Sequence, residues 1–478
     1  MEENPHSPHL LIFPLPIQGH LNSMLKLAEL LSLQGLSITF LNSHHSHKRL
    51  LRYTDIHARF AQYPGFRFKT FSDGLPDDHP RTSHQITEMF DALYLSALPF
   101  LKKMLIDTLP PVSCIIGDGI LGFVPDVAKE LKIPLIHFRT VSACSIWAYF
   151  CIPLLIQAGN IPLRGRHEDM DLLITTVPGM EAFLRGRDLP SICKDNDIND
   201  RIFQFVLDAT LKSSEVDVLL LNTFEDLEGP ILSHIRTKCP KIYTIGPLHL
   251  HLETRLAASN NMESFKSSNS LWEVDKSCMA WLDKQPPQSV IYVSFGSLAM
   301  LTREQYLEFW HGLVNSKQRF LWVTRPGSVG GDDDSAMELA EGTKERGYIV
   351  GWAPQEEVLA HKAVGGFLTH SGWNSTLESI AAGVPMICWP CLADQPLNSR
   401  FVSEVWKIGV DMKDVCDRKV VEKMVNDVMV ERREEFVKSA ENLATLARRS
   451  ISDGGSSRGN LDLLINDIRN MSSQTHCS

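Results

Sequence analysis

Short apolar runs alternate along this chain with longer segments whose apolar residues recur at helical spacing. The first run is HLLIFPLP, His9 to Pro16, an uncharged stretch of strand length. After a Gln18-Gly19-His20 turn, Met24, Leu25, Leu27, Ala28, Leu30 and Leu31 mark one helix face, which predicts a helix over Asn22 to Gln34. Leu36 to Leu41 predicts a second strand, and the pattern returns as strand Cys114–Gly117, helix Val124–Leu131 and strand Pro134–Phe138. Strands separated by helices pair in parallel through right-handed crossovers, so the alternation predicts a doubly wound α/β sheet. Ligands of such sheets sit at the carboxyl ends of the strands. His20 and Asp118 both follow strands and are therefore placed at the crevice.

A second alternating series follows: strand Ser289–Phe295 running into Gly296-Ser297, helix Arg303–Asn315, strand Phe320–Thr324 and strand Tyr348–Gly351. Between the two series, Leu248 to Trp272 is polar, rich in Ser and Asn and without a sustained apolar period, which predicts a linker. Two facing α/β domains with a cleft between them result. The expected division is residues 1–250, a linker at 251–272, residues 273–456, and a closing helix within 457–478. The run Val141 to Gly159 approaches the length of a membrane span, but Ser142, Ser145, Pro153 and Gln157 interrupt it, so a buried helix beside the cleft is predicted.

Composition narrows the partners. At 478 residues more than one core is expected. Lys and Arg number 47 against 57 Asp and Glu, a net charge of −10 with no compensating basic cluster, which argues against a nucleic-acid partner. Ten scattered cysteines and the acidic, polar start MEENPHSPH indicate a reducing compartment without a secretory signal, so a cytoplasmic protein is expected. An acidic chain that binds an anion must do so with local donors and dipoles.

The stretch from Trp352 to Gln395 offers them. AVGGFLTH, Ala363 to His370, reads as a strand that ends in the turn His370-Ser371-Gly372 before Trp373 to Glu378 opens a helix. Free N–H groups and the macrodipole at that helix start form an anion site suited to phosphate. His370 and Ser375 can donate to phosphate oxygens, Glu378 can accept from ribose hydroxyls, and Trp352 offers a face to a base. Asp394 and Gln395, a carboxylate beside an amide, suit the several hydroxyls of a sugar.

This 44-residue stretch resembles the secondary product glycosyltransferase box of the plant family 1 UDP-sugar-dependent glycosyltransferases. The resemblance implies the GT-B arrangement of two facing Rossmann-like domains. It implies that Trp352 stacks on uracil, that Ala353 and Gln355 hydrogen-bond the nucleoside, and that Glu378 takes the ribose. His370, Asn374, Ser375 and the Trp373 backbone would hold the pyrophosphate, joined by Ser297 of Phe295-Gly296-Ser297. Asp394 and Gln395 would hold the sugar, and a terminal Gln in the family usually goes with glucose. His20 resembles the family's general base and Asp118 its partner. The implied reaction is a single inverting displacement from UDP-glucose to a small-molecule acceptor, by a monomer, with no metal and no further cofactor. The family's C-terminal segment, here about Ser457 to Met471, crosses back onto the first domain.

Each residue also has a structural reading: Asp118 could cap the following helix, Glu378 could complement the helix dipole, Trp352 and Trp373 could be core aromatics, and Ser297 could serve its turn alone. Their joint occurrence in one ordered pattern favours the site. Cys388-Trp389-Pro390-Cys391 is read as structural, although Cys391 stands where the family has a larger residue and could widen the pocket. His44, His45 and His47 are read as a solvated loop, as is Asp332 to Asp334. The acceptor wall is expected from Phe71–His79, Met89–Leu98, Arg139–Phe150 and Phe183–Leu189, which predict a small apolar acceptor. Arg139 could pair with an acceptor carboxylate or serve structurally. Ser23, where many relatives have Pro, resembles the branch that glucosylates iridoids and related terpenoids. A phenolic or flavonoid acceptor remains the alternative, as does a non-catalytic UDP-sugar-binding protein. A nicotinamide-dependent oxidoreductase would need a Gly-rich fingerprint that PLPIQG, Pro14 to Gly19, does not provide.

Overall fold

A computed structural model describes residues 8–163, 169–194, 197–258, 268–329 and 346–475. The first sheet contains seven strands: β1 (His9–Phe13), β2 (Ser37–Ser43), β3 (Phe66–Phe71), β4 (Cys114–Asp118), β5 (Leu135–Arg139), β6 (Val218–Leu221) and β7 (Ile242–Thr244). The second contains six: β8 (Val290–Ser294), β9 (Arg319–Val323), β10 (Gly347–Val350), β11 (Val364–Thr369), β12 (Met386–Cys388) and β13 (Gly409–Asp411). Their orders are β3-β2-β1-β4-β5-β6-β7 and β10-β9-β8-β11-β12-β13, with every pair parallel. The central strands β1, β4, β8 and β11 are buried throughout, which is why they read as continuous apolar runs. The two doubly wound sheets expected from the sequence are present.

Strand order reverses once in each sheet, between β1 and β4 and between β8 and β11. These are the points where crossovers leave toward opposite sides and open a crevice at the carboxyl ends. In the first sheet Phe13 pairs with Gly117, and in the second Ser294 pairs with Thr369. His20 and Asp118 lie just beyond the first of these pairs, Gly296 and His370 just beyond the second.

Several local expectations need correction. His20 is in the first turn of the helix Gln18–Ser32, not in a turn ahead of it; Ile17 caps that helix with extended backbone and no side-chain bond, so no capping residue announces the start. His44 to His47 are helical, in His44–Tyr53, whose start is capped by Ser43 accepting from Ser46 N at 3.1 Å. The run Val141–Gly159 divides into helices Ala143–Phe150 and Ile152–Gln157, with Pro153 in the first turn of the second. No helix among the described residues is long and apolar enough to cross a membrane.

The stretch read as a linker begins with a helix, Leu248–Ala258, that packs on Gln18–Ser32. Its buried residues are Leu248, His251, Leu252 and Leu256, so a histidine on the inner face obscured the apolar period. His251 is accommodated because its ring bonds the Ile245 carbonyl at 3.2 Å. The middle of that stretch, 259–267, and Asp332 to Asp334 lie outside the described residues. At the other end of the chain, the helix Ser456–Thr475 buries Leu461, Leu464, Ile465 and Ile468 in the core that also holds Leu10, Ile12 and Phe40 of the first sheet. Lys241 pairs with Asp467 across that contact at 2.6 Å.

Candidate active site

The carboxyl ends of both sheets open into one cavity of about 320 Å³. His20, Ser297, Trp352, Ala353, Gln355, His370, Trp373, Asn374, Ser375, Glu378, Asp394 and Gln395 all line it. Asp118 stands behind His20, 1% exposed. Thirteen residues chosen from four separated parts of the sequence therefore meet at one place.

His20 is held by two partners. Its Nδ1 lies 2.7 Å from Asp118 Oδ2 and 2.8 Å from Thr140 Oγ1, which leaves Nε2 as the nitrogen available to a ligand. Asp118 accepts further hydrogen bonds from Leu15 N at 3.1 Å and Ile120 N at 3.3 Å. Burial alone would raise its pKa, but the His20 charge and hydrogen bond, with these two N–H donors, hold it below the ordinary carboxylate value. Asp118 thus faces His20 and does not cap the following helix, whose start at Phe123 has no side-chain cap. Thr140 follows β5 directly, and the strand-end rule that singled out Asp118 would have found it too.

The helix Trp373–Ala382 starts at the cavity. Its first internal bond runs from Thr376 N to Gly372 O, so Trp373, Asn374 and Ser375 N–H have no helical acceptor and can meet an anion. His370 sits in front of them. Burial lowers its pKa to about 4, so its ring is neutral at neutral pH, and its Nδ1 has no hydrogen-bond partner. Gly296 and Gly372 make room for this ring: a Cβ on either would lie 2.5 Å from His370 Nε2. Gly296 also has φ of +73°, a conformation that favours glycine. Arg325 braces the Gly296 loop by donating to Gly296 O at 3.2 Å and Ala299 O at 2.9 Å, a role with no sequence signal.

Gln355 links the nucleoside end. Its Nε2 donates to Glu378 Oε2 at 2.7 Å and Ser375 Oγ at 2.9 Å. Burial, with Glu356 nearby, raises Glu378 to about 7. Trp352 has Trp272 stacked on it, with centroids 4.7 Å apart and planes at 24°. Trp272 does not line the cavity, and the Arg49 and Arg325 guanidinium groups lie 5.2 and 5.7 Å from its ring. At the other end, Gln395 Oε1 accepts from Cys391 N and Leu392 N at 2.8 and 2.9 Å, leaving its Nε2 as the end that a ligand can use.

Several residues have partners that the sequence did not show. The Asn374 side chain is partly occupied, donating to Gly19 O and accepting from Ser23 Oγ, both at 2.8 Å. One Nδ2 hydrogen and the backbone N–H remain for a phosphate, and Ser23 acquires a purpose in joining the two domains. The Trp373 indole likewise spans the domains, donating to Asn222 O at 2.8 Å. Lys26 pairs with Glu356 across the same boundary, beside the cavity. Arg139 is 3% exposed and donates to Gly119 O at 2.6 Å and weakly to Thr210 Oγ1 at 3.5 Å, so it serves the fold and does not reach the cavity. Cys391 is exposed and does not line the cavity either, so it does not widen it; Leu392 borders that end. Both cysteines of the CxxC are free, and no group of three or more metal-ligating side chains occurs among the described residues.

Comparison with known proteins agrees with this geometry. Residues 251–446 match the family described as UDP-glucoronosyl and UDP-glucosyl transferase. The chain is 56% identical over 480 aligned residues to a 7-deoxyloganetic acid glucosyltransferase of Catharanthus roseus, covering 98% of this chain and 99% of that one. It is 45% identical to a myricetin 3-O-rhamnoside 1,2-glucosyltransferase of Crocosmia x crocosmiiflora, covering 99% and 98%. Among solved structures it resembles Os79 of O. sativa in complex with UDP, with a TM-score of 0.79, 29% identity and coverage of 96% and 100%. Identity of this extent over the whole length, on a GT-B fold, places the chain in the UDP-glucosyl transferase family as a UDP-sugar-dependent glucosyltransferase.

Proposed function

We propose that the enzyme transfers glucose from UDP-glucose, with inversion, to a hydroxyl or carboxyl oxygen of an iridoid or related small terpenoid. The observation that carries this reading is the His20–Asp118 pair, 2.7 Å apart, in the same cavity as the phosphate-facing helix start. His20 Nε2 takes the acceptor proton while the acceptor oxygen attacks the anomeric carbon from the face opposite UDP. The bond from that carbon to the phosphate oxygen breaks, and UDP leaves with the electron pair. Asp118 fixes the tautomer and stabilises the imidazolium, a general-base contribution of about 10²–10⁴-fold. Charge on the departing UDP is met by the N–H groups of Trp373 to Ser375, by Ser297 and by neutral His370, with no metal in the scheme.

Trp352 takes uracil, Ala353 and Gln355 the nucleoside, Glu378 the ribose, and Asp394 with Gln395 the glucose. In this division residues 1–250 bind the acceptor, 273–456 the donor, and the closing segment 457–478 joins them, within a cytoplasmic monomer. The terpenoid acceptor rests on the name of the 56% identical relative. The relative named for a myricetin glycoside keeps a flavonoid acceptor as the second reading. The test is UDP release from UDP-glucose against iridoid, monoterpenoid, phenolic and carboxylic acid acceptors, with His20→Ala in parallel. Release that needs an iridoid and collapses in the variant supports the proposal. Donor binding without release on any acceptor would sink it in favour of a binding protein.

A further inference from the structure

We infer that Asn398 is a positioning residue that sets the Asp394 carboxylate toward the sugar and ties it to both the phosphate turn and the acceptor-side helix. The inference rests on the reading that Asp394 holds the sugar of the donor.

Asn398 is fully buried, at 0% exposure, one helical turn after Asp394 on the helix Gln395–Arg400. Its Nδ2 donates to Asp394 Oδ2 at 2.8 Å and to Ser371 O at 3.0 Å. Both partners are acceptors only, so the amide can face them in one way. Its Oδ1 accepts from Ser142 Oγ at 2.7 Å, with Ser145 Oγ at 3.4 Å. Ser142 belongs to the other domain, where it caps the helix Ala143–Phe150 by accepting from Ser145 N at 3.2 Å. Glu228 completes that cap, accepting from Ala143 N at 3.0 Å and Cys144 N at 2.8 Å. Ser371 has φ of +62°, an uncommon conformation for a residue with a side chain, and the bond to Asn398 helps to hold it there. One amide therefore touches the three parts that must agree for transfer: the turn before the phosphate helix, the sugar carboxylate and the acceptor wall.

The bond matters to Asp394 because that carboxylate is buried. Burial raises it to about 6, while the Asn398 hydrogen bond acts against the rise. The charged and titratable groups facing it are His20 and Arg139, which favour its ionised form, and Tyr149 and Cys144 on the helix Ala143–Phe150. Without the Nδ2 donor, Asp394 would take up a proton at higher pH and lose an acceptor that sugar hydroxyls need.

The experiment is titration calorimetry on the full chain with UDP-glucose and with UDP, without acceptor, from pH 5.5 to 8. The readout is the ratio of the UDP Kd to the UDP-glucose Kd, which isolates the sugar and cancels any change at the phosphates. In Asn398→Ala this ratio should fall about tenfold at neutral pH, the weight of one hydrogen bond to a charged group. The pH at which it declines should move up by about one unit. Isosteric Asn398→Asp should lose the ratio at pH 8 and regain it toward pH 5.5, where a proton shared by the two carboxyls restores a donor. A ratio and pH midpoint unchanged from wild type in the variant that folds would overturn the inference, and Asn398→Asp carries that test if the alanine variant does not fold. Asp394→Ala separates the two readings: if it leaves the ratio intact, the sugar assignment itself fails, whereas an effect of Asp394→Ala without one of Asn398→Asp removes the positioning role alone.

Discussion

Each sheet of this enzyme brings a histidine to its reversal point, and the two are equipped in opposite ways. His20, beyond β1, has a carboxylate at 2.7 Å, a hydroxyl at 2.8 Å and a side chain 25% exposed. His370, beyond β11, is half-buried between two glycines, has an unpartnered Nδ1, and is held to a pKa of about 4. One imidazole has a partner that stabilises the charge it would gain; the other is kept from gaining any. The two lie on opposite sides of their reversal points, since β1 matches β8 and β4 matches β11; in the proposed reaction the first takes a proton and the second donates a hydrogen bond as a neutral ring. What separates them is the second residue at the crevice, Asp118 in one sheet and glycine in the other.

The largest break in this comparison should come from His20→Ala, which we predict lowers kcat by about 10²–10⁴-fold and leaves UDP affinity unchanged. Steady-state kinetics beside calorimetry would show it, and comparable losses of both would contradict the assignment. Gly372→Ala should come next. Gly372 has φ of −61°, acceptable for any residue, so the substitution tests only the 2.5 Å contact with His370. A displaced ring should weaken UDP binding by roughly tenfold or more, in line with overpacking costs of about 1–3 kcal/mol, while kcat at saturating donor changes little.

The neutral state of His370 predicts a stability effect of defined sign. The unfolded chain protonates this residue below the ordinary histidine value of 6.5, the native state only near 4. Its contribution to stability is therefore lost as pH falls from 6.5 toward 4, by up to about 3 kcal/mol. Glu378 and Asp394, pushed up to about 7 and about 6, act in the opposite direction but are common to both proteins when wild type is compared with His370→Gln. The difference in Tm between the two should shift in favour of the variant on going from about pH 7.5 to about pH 4.5. Equal shifts would mean that His370 already carries a proton in the native state. Smallest of all, Ser23→Ala removes the donor to Asn374 and should weaken UDP-glucose binding by less than about fivefold.

The donor site was legible because its residues lie in one continuous stretch and because strand-end positions follow from apolar periodicity alone. Trp352 through Gln395 could be read in order, and His20 and Asp118 could be placed at the crevice without knowing which strands were neighbours. What escaped was everything that depends on contact between distant parts of the chain. Lys26 with Glu356, Trp272 behind Trp352, and Ser142 with Asn398 are separated by 80 or more residues and leave no periodic trace. The helix Leu248–Ala258 was missed for a different reason, since His251 occupies an inner position and breaks the apolar pattern. Asn374 was assigned to the phosphates by the family resemblance; only the fold shows that Gly19 and Ser23 also engage one of its Nδ2 hydrogens and its Oδ1.

The docking of Ser456–Thr475 onto the first sheet has a consequence for biosynthesis. Leu461, Leu464, Ile465 and Ile468 belong to the core that holds Leu10 and Ile12, so apolar surface made at Leu10 is covered only after residues far later in the chain have been made. At about 5–20 residues per second that interval is on the order of tens of seconds. During it, the nascent first sheet presents an uncovered flank, and a chain stalled before Ser456 should be markedly more sensitive to protease in that sheet than the released protein.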